Sequence, residues 1–107
     1  AGPSLILASS NGNETACQAL LSKGADINFK DNDGSTALMK ASESGHEAVC
    51  KLLISSLADI NAKNLRGDNA LMMAAYDGHE NCICILLDRG AAINAKNDKG
   101  WDALMVK

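Results

Sequence analysis

Few residues in this 107-residue chain have the type and spacing for chemistry. His46-Glu47-Ala48-Val49-Cys50 begins like a zinc-hydrolase helix. That chemistry needs histidines at i and i+4, with the glutamate as general base. Here the fifth residue is Cys50, and in the matching stretch from His79 it is Ile83, so the second ligand is missing. Asp26-x-Asn28-x-Lys30 and Asp59-x-Asn61-x-Lys63 start like calcium loops. Each puts lysine where an oxygen ligand is needed. Asp31-x-Asp33-x-Ser35 comes closer, but Thr36 stands where the loop requires glycine. The chain has no glycine-rich phosphate loop, no serine nucleophile elbow and no Cys-x-x-Cys pair. The expectation is a non-enzymatic protein with no metal and no cofactor.

The elements that carry these residues repeat. Gly34, Gly67 and Gly100 are spaced by 33, as are Leu5, Leu38, Leu71 and Leu104. Ile27-Asn28, Ile60-Asn61 and Ile93-Asn94 keep the same step. Residues 31–63 and 64–96 match at 14 of 33 positions without a gap. Chance gives about two. The repeat therefore explains both histidines and their glutamates as recurring parts of one unit.

Each unit reads as two short helices. In the unit 31–63, Asp31 to Gly34 is turn chemistry and Thr36 is an N-cap. A first helix is predicted over 37–43, a break at Ser44-Gly45-His46, and a second helix over 47–55. Gly24 and Gly90 close the corresponding second helices, while Leu57 holds that position in between. Helices this short are unstable alone and must stack on copies of themselves.

The segment Asp31-x-x-Gly34-x-Thr36-Ala37-Leu38-Met39-x-Ala41, followed by Gly45-His46, Leu52-Leu53 and Ala58-Asp59-Ile60-Asn61, resembles the ankyrin repeat. The unit from Asn64 repeats the pattern with Gly67, Ala70-Leu71, Gly78-His79, Leu86-Leu87 and Ile93-Asn94. The resemblance spans the chain: a partial repeat at 1–30, full repeats at 31–63 and 64–96, and a partial repeat at 97–107. It implies an all-α solenoid of stacked helix–turn–helix units with projecting hairpin-like fingers. It also implies protein binding through fingertips and first helices. Ala37, Ala70 and Ala103 stand where the family has proline, and Met39, Met72 and Met105 where it has histidine. That histidine ties the family's turn together, so looser turns are expected. Asn28, Asn61 and Asn94 fall where some ankyrin proteins are hydroxylated. The residue-level reading is an asparagine bonding its local backbone.

Composition agrees with a stack. The chain is 47% hydrophobic and only 3% aromatic, with Phe29, Tyr76 and Trp101 as its rings. Net charge is −3, without the basic stripe of a nucleic-acid binder. The apolar runs 70–76 and 82–87 fall well short of the roughly 20 residues that cross a bilayer. Cys17 and Cys50 share a repeat position and read as small core residues too far apart to bridge. Cys84 aligns with Gln18 and Lys51, which predicts an exposed thiol. Together the cysteines suggest a reducing compartment, cytoplasmic or nuclear.

Function should lie where the units differ. The aligned fingertip sites are Asn32, Leu65 and Asp98; Asp33, Arg66 and Lys99; and Ser35, Asp68 and Trp101. At the end of the first helices, Glu43 and Ser44 align with Tyr76 and Asp77. The predicted partner-binding set is Asp33, Ser35, Leu65, Arg66, Asp68, Tyr76, Asp77, Lys99 and Trp101. Phe29, opposite Ala62 and Ala95, is expected outside the helical core. The partner is expected to be another protein, or a part of the same larger chain that the array docks against and regulates. Residues 97–107 supply only a first helix, which suggests a longer array or end-to-end contact with a neighbouring molecule.

Overall fold

The computed structural model describes residues 2–106. Seven helices are found there: α1 (Gly2–Ser10), α2 (Glu14–Ser22), α3 (Ala37–Ser44), α4 (Glu47–Ser55), α5 (Ala70–Tyr76), α6 (Glu80–Asp88) and α7 (Ala103–Val106). They form two rows. The first helices α1, α3, α5 and α7 pack side by side, and α2, α4 and α6 form the second row behind them. The extents of 37 × 26 × 20 Å are those of a short stack of helix pairs.

Local sequence sets the helix ends. Thr36 Oγ1 accepts from Met39 N at 3.3 Å, and Asn69 Oδ1 accepts from Met72 N at 2.9 Å. Each satisfies a backbone N–H that the first turn leaves open. Leu38, Ala41, Val49, Leu53, Leu71, Ala74 and Leu86 meet between the rows, all buried. Small residues let the thin layers approach, so the core needs no rings.

The cysteines follow the same logic. Cys17 and Cys50 are buried and face Ser9 and Ser42, with Oγ to Sγ distances of 3.5 and 3.6 Å. In the third unit both partners change together, to Ala75 and Ile83. All four thiols are free, and Cys84 alone is exposed. Cys82, aligned with Val49, instead neighbours the Cys50 thiol, because adjacent helices also touch on the diagonal. Burial pushes Cys50 up to about 12.

Polar contacts lock each unit to the next. His46 Nε2 meets the Ser10 carbonyl at 2.9 Å, and His79 Nε2 meets that of Glu43 at 2.9 Å. Each ring covers the glycine of the preceding unit, Gly12 or Gly45, leaving no space for a side chain there. Asn28 and Asn61 reach the backbone N–H groups of Asp59 and Ala92 at 2.8 and 2.9 Å. Their bonds are therefore between units rather than local; Asp26 and Asp59 carboxylates make the local ones.

The turns carry side-chain hydrogen bonds of their own. In each finger one side-chain oxygen, of Asp31, Asn64 or Asn97, accepts from two backbone N–H groups two and four residues on. These Asx bonds tie each turn to the start of the helix that follows it. Adjacent fingers are joined by Leu65 N to Asp33 O at 3.0 Å and Asp98 N to Arg66 O at 2.9 Å. Phe29 also departs from expectation. It is half-buried against the core, and its ring lies on Gly2, because a glycine at the head of α1 opens a seat for it. Beyond α6, Ile83, Leu87, Ile93 and Leu104 line an apolar hollow of about 260 Å³.

Candidate functional site

The fingertips of residues 64–69 and 97–102 and the end of α5 meet around one carboxylate. Asp68 is fully buried, at 0% exposure. Its Oδ1 accepts from Asn97 Nδ2 at 3.0 Å, and its Oδ2 pairs with Arg66 Nε at 3.4 Å. The Tyr76 hydroxyl sits between the two oxygens, 3.1 and 3.2 Å away. A buried carboxylate is costly unless donors surround it, and here three side chains do so. Burial raises the Tyr76 hydroxyl above its ordinary pKa, helped by the hydrogen bond and charge of Asp68.

Above this network lies a cleft of about 370 Å³ lined by Leu65, Arg66, Tyr76, Asp98 and Lys99, with Asp68 and Asn97 at its floor. Leu65 is 72% exposed, Tyr76 41% and Trp101 42%. Lys99 Nζ stands 5.1 Å from the centre of the Trp101 ring, a cation–π contact. The helix row fixes Tyr76, the Asx turns fix Arg66 and Lys99, and the buried carboxylate ties the two together.

The predicted residues thus divide. Leu65, Arg66, Asp68, Tyr76 and Lys99 are brought to one cleft, and Trp101 joins them through Lys99. Asp33 and Asp77 are exposed but are not among the residues that line the cleft. Ser35 and Asp68 do not project outward as expected of variable positions. Ser35 is turned in by the Asp31 hydrogen bond to its backbone, and Asp68 by its three donors. Asn97 lies outside the set expected from sequence. It aligns with Asp31 and Asn64, so it reads as turn scaffold, yet its amide is what reaches Asp68.

The residues that suggested metal chemistry have other employment. His46 and His79 are held by main-chain carbonyls, and Cys50 by Ser42. Among the described residues no helix is long and apolar enough to cross a membrane.

Stacked helix pairs, a 33-residue step and inter-unit histidines converge on one family. A family model described as ankyrin repeats (3 copies) matches residues 4–64, and another described as ankyrin repeats (many copies) matches 53–105. The chain belongs to the ankyrin-repeat family. Ankyrin repeats are in general protein-interaction modules. No curated protein matches the chain.

Proposed function

We propose that this ankyrin array binds a partner protein through the cleft between its last two fingers, with no catalytic step of its own. The observation that carries the reading is the contrast in exposure. Leu65, Tyr76 and Trp101 are uncovered large side chains at positions where the units differ; Leu65 and Tyr76 line the cleft over a buried polar floor, and Trp101 stands beside it against Lys99. Aromatic anchors beside a rigid support are what binding surfaces use. Sequence variation between units is free to encode a partner only where the stack does not need the residue.

Photo-crosslinking tests the placement. A benzophenone side chain at position 65 or 101 is expected to capture protein from a cell extract, while one at Lys51 on the second-helix row captures none above background. Capture from position 51 with nothing from 65 or 101 would move the binding face to the other side of the stack.

A further inference from the structure

Resting on the cleft described above, the chemistry of its rim identifies the kind of partner. Arg66 is tethered by Nε alone to the buried Asp68, and its side chain is 64% exposed. Among the described residues its two terminal nitrogens make no hydrogen bond and form the outer edge of the guanidinium. A guanidinium held on one side by a fixed carboxylate presents its other side as a ready fork for a second carboxylate. Lys99 lines the same cleft, steadied on Trp101. Leu65 stands beside Arg66 with 72% of its surface uncovered.

The charge sum narrows the ligand further. Arg66 and Lys99 bring two positive charges and Asp68 one negative, leaving one positive charge at the rim. Asp98 is the remaining charged lining residue, and its Oδ1 is folded against Gly67, 2.7 Å from where a side chain there would begin. With Asp98 included the lining sums to zero, so a dianionic phosphate would be left undercompensated by two charges and a carboxylate by only one. What selects the carboxylate is the free edge of Arg66, which it can fork. We propose that the cleft takes an acidic peptide segment of a partner protein, with an Asp or Glu carboxylate forked on Arg66 and a neighbouring apolar side chain covering Leu65 and Trp101.

The test is selection of displayed random 12-residue peptides against the full chain, followed by affinity measurement of the winners as synthetic peptides. Asp or Glu next to Leu, Ile or Phe is expected to be enriched. Arg66→Gln should weaken those peptides about 10-fold, and Lys99→Gln about 3-fold, as expected for a forked and a simple rim contact. Arg66→Lys keeps the charge and loses the fork, so it should recover only part of the Gln loss. Arg66 and Lys99 are exposed, and circular dichroism will show that the variants keep their helices. Winners without acidic enrichment that are lost on Leu65→Asp would overturn the acidic partner and leave the cleft standing. Winners indifferent to both Leu65→Asp and Arg66→Gln, or no winners, would overturn the cleft as well.

Discussion

Leu57 is the one non-glycine residue with positive φ among the described residues, at 72°. It closes α4, where its own N–H bonds Ile54 O and the next N–H bonds Leu53 O, both at 3.0 Å. Gly24 and Gly90 do the same for α2 and α6, at φ of 89° and 97°. The left-handed conformation costs an L-residue about 1–2 kcal/mol. Glycine gives back about 0.5–1 kcal/mol through the greater freedom of its unfolded chain. Leu57 is 84% exposed, so removing its side chain forfeits little burial. Leu57→Gly is therefore expected to stabilise the fold by about 0.5–1 kcal/mol, or roughly 2–6 °C in Tm for a domain of this size. Gly90→Ala is the mirror experiment. A Cβ there meets nothing within 4 Å, so only backbone strain changes. It should lower stability by a similar amount. Thermal melts checked by urea unfolding with an unchanged m-value are the assay. A lower Tm for Leu57→Gly, or an unchanged one for Gly90→Ala, would refute the backbone argument.

Three more outcomes follow from the packing. Gly45→Ala and Gly78→Ala adopt φ of 76° and 69°, but only at Gly45 does a Cβ collide with a ring, His79 Nδ1 at 2.6 Å. Gly45→Ala should destabilise by roughly 1 kcal/mol more, since the displaced ring also gives up its hydrogen bond to Glu43 O; equal melting temperatures would count against that coupling. Tyr76 is the only tyrosine, so tyrosinate absorbance reports it alone. Its titration should lie above that of a free tyrosine, and Asp68→Asn should move it down. Because the raised pKa favours the protonated hydroxyl in the folded state, its share of stability is present below the ordinary tyrosine range and lost as pH rises beyond it. Finally, an aromatic disulfide reagent at pH 8 should label one thiol, Cys84, at once, and the other three only on unfolding. Burial holds Cys50 at about 12, so fast native labelling of more than one thiol would contradict the packing.

The stack was legible because its determinants are local and recur. The helix over 47–55, the Thr36 cap and the left-handed position of Leu57 can each be read from a few neighbouring residues and checked against another unit. What stayed hidden depends on neighbours that alignment does not pair. Cys82 aligns with Val49 but meets Cys50, because helix packing has diagonal as well as equivalent contacts. Asp68 differs from Ser35 and Trp101, and difference alone suggested an outward contact. The structure shows that a variable position can instead hold a private polar network, with Asn97 as its unrecognised member. Phe29 lies against the core because its seat is the small residue Gly2, a feature no other unit offers.

The histidines that fill the space over Gly12 and over Gly45 each arrive from the following unit. Cutting the chain at the boundaries written in its sequence therefore severs every such pair. A fragment that stops after Lys63 retains Gly45 but removes the ring that seats on it. The smallest piece that keeps the α3–α4 hairpin fully dressed must run on through His79 and Glu80. The unit that evolution copied and the unit that can be lifted out intact are offset by about half a repeat. A graft of one finger pair into another array will need to carry that overhang with it.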